Sequence, residues 1–122
     1  MDKFQTLVGR LLLAHIFLLA GIGKISGYAG TQGYMESVGV PGMLLPLVIL
    51  LEIGGALALI VGWQTKWAAW ALAAFSVVSA IIFHSNFADQ TQSILFMKNL
   101  AMAGGLLVLA AHGAGALSLD RR

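Results

Sequence analysis

Four stretches of this chain are too apolar to face water and long enough to cross a bilayer: residues 6–23, 43–62, 67–84 and 93–112. Each approaches the roughly 20 residues that a membrane-spanning helix needs. In lipid every backbone N–H and C=O must be paired inside the protein, which leaves only helices and closed barrels. The side-chain alternation of a barrel strand is absent. The expected fold is therefore an all-α membrane protein, a four-helix transmembrane bundle forming one domain over residues 1–122. Composition agrees. Charged residues make up 10% of the 122 residues and hydrophobic ones 59%, and mean hydropathy is +0.89. A water-soluble domain carries about 25% charged residues.

The breaks between the spans carry turn chemistry. "KISGYAGTQGYMESVGVPG" (Lys24 to Gly42) holds five glycines and a proline and reads as a loop, with a short interfacial helix at most around Gln32 to Val38. "WQTK" (Trp63 to Lys66) reads as a tight turn. Trp63 and Trp67 flank it as anchors at the lipid interface. "SNFADQTQ" (Ser85 to Gln92) reads as a short polar loop. Lys3 and Arg10 at the start of the first span resemble the opening of a signal peptide. No small-x-small cleavage site follows, so this helix is expected to stay in the protein.

Lysine and arginine set the expected orientation. With the N-terminus inside, Lys3, Lys66, Arg121 and Arg122 fall on the inner side with Arg10 close by, and the outer loops carry Lys24. The positive-inside rule then puts both termini in the cytoplasm (N-in/C-in). A net charge of +2 from scattered residues forms no phosphate-binding face, so no nucleic-acid partner is expected. With no cysteine the chain has no disulfide, thiolate metal site or thiol nucleophile of its own. Met35, Met43, Met97 and Met102 share no regular spacing and read as packing, so no metal site is expected.

The informative residues are the polar ones at depth. Glu52 stands inside "LVILLEIGGALALIVGW" (Leu47 to Trp63) with apolar or glycine neighbours on both sides. An ionisable group near mid-bilayer costs about 2.5–3.5 kcal/mol on insertion scales, so it needs a reason to be there. At about 1.5 Å per residue, His15 lies about 13 Å below Lys24, and Glu52 about as far below Met43. His84 closes the third span on that same side, and Lys98 and Asn99 lie one to two turns into the fourth. These groups converge on one leaflet. Arg10 lies toward the other and is expected to reach inner phosphates or serve a structural role. Each also has a plain structural explanation: Glu52 paired with Lys98, His15 or Lys24, Lys24 snorkelling to headgroups, the histidines bonded to neighbouring helices. Together, Lys24, Lys98 and Glu52 with two histidines make a pocket that can polarise a carbonyl or accept a proton. Buried polar groups must be satisfied, by water or by a ligand.

Three blocks resemble the DoxX family. "GRLLLAHIFLLAGIGKI" (Gly9 to Ile25) is similar to the family's opening helix, with Arg10, Phe17, Gly21 and Lys24 in its motif positions. "LEIGGALALIVGWQTKWAA" (Leu51 to Ala69) matches a second block through Glu52, Gly55, Leu57, Leu59 and Gly62, with Lys66 where many members have Arg. "FHSNF" and "MKNLAMAGGLLVL" resemble a third through His84, Lys98, Asn99 and Gly105, and "GAGALSLDRR" the family's ending. The resemblance spans nearly the whole chain. It implies a small bacterial inner-membrane protein with four helices. The family name traces to a subunit of a thiosulfate:quinone oxidoreductase, and other relatives are linked to quinones or to oxidative-stress responses.

Three functional expectations follow. In the first, the chain is a quinone-linked oxidoreductase or its membrane subunit: Glu52 and His84 handle protons, while Lys24, Lys98, Asn99 and His15 contact the ligand. Without a flavin, haem or iron–sulfur motif, no intrinsic cofactor is expected, and electrons must pass through a bound quinone or a partner redox subunit. In the second, it is a non-enzymatic binding, export or assembly subunit, whose cluster holds an anionic or phenolic ligand or only fixes the helices. In the third, it is a plain structural bundle whose charges are satisfied internally. In any of the three, its expected partners are membrane lipid and either a partner subunit or further copies in a homo-oligomer.

Overall fold

A computed structural model describes residues 2–84 and 86–120. Ser85, in the expected polar loop, and Arg121 and Arg122, among the expected inner cations, lie outside the described residues. Those residues form five α-helices: α1 (Asp2–Ser26), α2 (Tyr28–Ser37), α3 (Leu45–Val61), α4 (Thr65–Phe83) and α5 (Gln90–His112), with a 3₁₀ turn at Gly42–Leu44 ahead of α3. No strand occurs among them. Four segments are long and apolar enough to cross a membrane, Asp2–Ser26, Gly42–Val61, Thr65–Phe83 and Gln90–His112. The protein is thus all-helical with four candidate spans. Each sequence-derived span is recovered within a few residues, the scatter usual at helix ends.

The large correction falls between the first two spans. The segment read as a loop is mostly helix: α1 runs on through Lys24 to Ser26, and α2 follows after one residue. Glycines at 27, 30 and 33 lower helix propensity, yet the Gly27 carbonyl accepts bonds from Thr31 N at 2.9 Å and Thr31 Oγ1 at 3.0 Å, which start the new helix. Tertiary contact then holds it. Met35 is buried, and the Tyr34 hydroxyl donates to the Phe83 carbonyl at 3.4 Å.

Local chemistry accounts for the other ends. Pro46 occupies the first turn of α3, where its missing N–H costs nothing. Gly62 ends α3 in the left-handed region at φ 72°, a conformation that favours glycine. Asp89 caps α5 by accepting from Thr91 N at 2.9 Å. Helix α4 has no cap of its own and borrows one from far along the chain. Asp120 Oδ1 accepts from Gln64 N at 3.0 Å and Oδ2 from Thr65 N at 2.9 Å. Leu119 N and Asp120 N donate in turn to the Val61 and Gly62 carbonyls.

Helix α1 pairs most extensively with α3, and α4 with α5; α3 and α4 join the two pairs, while α1 and α5 touch at few positions. The shared core holds Phe17, Ala56, Leu59, Leu72, Ala103 and Leu106. Leu12, Leu19, Leu47, Leu50 and Val108 are all exposed. In water such a surface would be a liability; in lipid it matches the solvent. One end of the bundle, the tail end, carries the α3–α4 turn and the returning tail. The other carries α2, Lys24 and His84.

Candidate functional site

At the α2 end the helices enclose a cavity of about 520 Å³. Gly21 makes its central contact possible. A Cβ there would sit 2.6 Å from Ile53 Cγ1 and 3.4 Å from Glu52 Cβ, so only a residue without a side chain lets α1 approach α3 this closely. One turn further on, Lys24 then reaches Glu52: Nζ and Oε1 are 2.8 Å apart, the spacing of a charge-assisted hydrogen bond. The Glu52 side chain is 4% exposed and that of Lys24 27%.

Lys24, Glu52, His84, Lys98 and Asn99 all line the cavity, brought there from α1, α3, the end of α4, and α5. His84 Nδ1 lies 3.1 Å from Gln92 Oε1. Asn99 is buried and donates from Nδ2 to the Ser76 carbonyl at 3.1 Å. Ser76 in turn donates its hydroxyl to Leu72 O at 2.8 Å. Lys98 is exposed and has no ion-pair partner among the described residues. The walls between these groups are apolar, built from Ile16, Phe17, Val48, Phe75, Ile82 and Met102. A few polar groups at fixed places in an apolar cavity is the usual make-up of a small-molecule site.

Two expected residues are corrected. His15 does not join the cluster. It is exposed, and its Nδ1 bonds the Leu12 carbonyl of its own helix. The buried stripe of α1 runs through Arg10, Ala14, Phe17 and Gly21. His15 has the right depth and the wrong direction, since two residues from Phe17 is about 200° around the helix. Arg10 does not reach lipid phosphates. It is 2% exposed and donates to the Ala114 carbonyl, to Leu117 O at 2.9 Å and to Ile60 O at 3.3 Å. Its role is to fasten the returning tail to α1 and α3. Trp63 and Trp67 are exposed beside the α3–α4 turn, with Lys66 Nζ 5.4 Å from the Trp67 ring centre.

The cavity also has residues that the sequence reading passed over. Thr31, Tyr34 and Met35 of α2 form its roof, and Ser76 and Ser79 line α4. The Tyr34 ring lies 5.3 Å from that of Phe83. The signal for α4 was present in "FSVVSAIIF": Phe75, Ser76, Ser79 and Phe83 recur at helical spacing and share one face. The signal for α2 was legible only in its second half, around Gln32 to Ser37, because Gly27 and Gly30 hid its first turn.

The family model described as DoxX matches residues 5–85. The chain is similar to the inner membrane protein YqjF of Escherichia coli strain K12, 56% identical over 121 residues that cover 99% of this chain and 93% of that protein. It is similar also to the inner membrane protein YphA of the same strain, 35% identical over 124 residues, covering 95% of this chain and 88% of the other. No solved structure matches it.

Proposed function

This chain belongs to the DoxX family, and on that premise we propose that it is a multi-pass inner-membrane protein whose cavity binds a quinone-like ring from the lipid phase. Its two named relatives are inner membrane proteins, which supports the same membrane for this chain. The observation that carries the reading is the cavity itself: about 520 Å³, apolar in its walls, with an ion pair and a lysine that has no ion-pair partner among the described residues lining the same space. Quinones have that character, apolar in the tail and hydrogen-bonding at the head. In this reading Lys98 donates to one ring oxygen, and Glu52 exchanges a proton with the ligand while Lys24 holds its charge. His84 passes protons between the cavity and the α2 end. Electrons enter from a partner redox subunit, which makes the chain the membrane part of an oxidoreductase.

The second reading is a non-enzymatic subunit whose polar cluster ties the helices together. The Lys24–Glu52 pair favours it, because the pair bridges α1 and α3 whether or not a ligand is present.

Binding separates the two. A quinone analogue titrated into the protein in lipid nanodiscs should bind, and Lys24→Ala, Glu52→Gln and Lys98→Ala should each weaken it by about tenfold, the worth of one charged hydrogen bond. Lys66→Ala, at the tail end, serves as the control and should bind as the native protein does. Four variants that bind alike, or an intact protein that binds no such analogue, would leave the structural reading standing.

A further inference from the structure

We infer that the cavity selects an amphipathic monoanion, and that Lys98, on the α5 side of the cavity, holds its charge. This rests on the ligand-binding reading above and adds the charge state of the ligand and its route of entry. Two lysines and one acid line the cavity. Lys24 and Glu52 cancel each other at 2.8 Å. The remaining charge is that of Lys98, for which no carboxylate lies within ion-pair distance among the described residues. His84 does not offset it, since an imidazole carries no negative charge and its partner is the neutral Gln92.

The position of Lys98 argues against mere snorkelling. It follows the start of α5 at Gln90 by eight residues, about 12 Å along the axis, and its neighbour Asn99 bonds the Ser76 carbonyl deep in α4. An unpaired cation at this depth in lipid is costly unless an anion or water meets it. A neutral ring oxygen stabilises an ammonium less than a full negative charge does, since the anion adds the Coulomb attraction of a second full charge where water screens it poorly.

Entry follows from which walls are closed. Thr31, Tyr34 and Met35 roof the cavity at the α2 end, and Tyr34 is tied to Phe83 by its hydroxyl. The pairs α1–α3 and α4–α5 pack extensively, whereas α1 and α5 touch at few positions, among them Leu13 against Gly105. Ile16 and Ala20 from α1 and Met102 from α5 line the cavity and are half-buried. A ligand dissolved in the bilayer therefore enters between α1 and α5, tail in lipid and charged head toward Lys98.

The test uses two probes of nearly the same shape: an alkyl hydroxynaphthoquinone, ionised at neutral pH, and its neutral methyl ether. Each is titrated by calorimetry into the full chain in phosphatidylcholine nanodiscs, with empty discs correcting for partition. The native protein should bind the anion about tenfold or more tighter than the ether, as expected for one charged hydrogen bond. Lys98→Gln should remove that preference and Lys98→Arg should keep it. Repeating the series in phosphatidylglycerol distinguishes a ligand from a headgroup: the gap between native and Lys98→Gln should persist. If anionic lipid erases that gap, Lys98 serves a headgroup and the inference fails. Equal binding of both probes by the native protein overturns the inference and leaves the quinone-like cavity intact. A preference that survives Lys98→Gln overturns it too. Binding of neither probe removes the cavity reading and the inference together.

Discussion

Lys24 and Glu52 are each costly alone and tolerated as a pair. A carboxylate that is 4% exposed survives in an apolar helix because an ammonium sits 2.8 Å away. Removing one partner strands the other charge in a low-dielectric site, whereas removing both leaves an apolar contact. Lys24→Met and Glu52→Leu should therefore each lower the melting temperature in detergent, and the double variant should lie above the more damaging single one. Additive losses in the double variant would show that the two do not act as a pair. The sequence made the need for a partner legible, since a lone acid among "LVILLEIGGALALI" has no local one. The choice among Lys24, Lys98 and His15 was not legible, because it turns on the close approach at Gly21.

Among the elements, the C-terminal tail and α2 carry more than their length suggests. Residues 114–120 give Arg10 two of its carbonyl acceptors and supply the cap of α4. Asp120→Ala should cost about 1 kcal/mol, as losing a helix cap does, read as a lower melting temperature. Asp120→Asn should recover part of the loss, because its amide oxygen still accepts one of the two bonds. If Asp120→Ala melts with the native protein, the cap is not stabilising α4. Helix α2 (Tyr28–Ser37) overlaps the short interfacial helix expected around Gln32 to Val38 but starts four residues earlier, and its full length was illegible for an understandable reason. Glycine-rich decapeptides do not form helices alone, and this one is held by Met35 and Tyr34 packed on the bundle.

For the molecule as a whole, orientation in the membrane is the property most directly open to experiment. Lys3, Lys66 and the tail lie at one end, and α2, Lys24 and His84 at the other. The positive-inside rule puts the former in the cytoplasm. Reporter fusions after Asp120 and after Phe87 should then report opposite sides, cytoplasmic for the first. Two fusions reporting the same side would overturn the four-span topology, and exchanged sides would reverse the orientation while keeping the spans.

What the sequence determined by itself was the four apolar spans and the depth of the residues along them. Four apolar runs demand four spanning helices, because lipid offers the backbone no hydrogen bonds. The rise per residue then places Glu52, Lys98 and Asn99 at a common depth. What only the tertiary structure decided is direction around each helix and pairing between distant segments. His15 has the depth of the cluster and faces away from it. Arg10 has the composition of a headgroup anchor and is buried against the carbonyls of Ile60, Ala114 and Leu117. Hydropathy and helical rise are local quantities. Which carbonyls a guanidinium meets depends on a tail more than 100 residues away, folded back by contacts that no window of sequence contains.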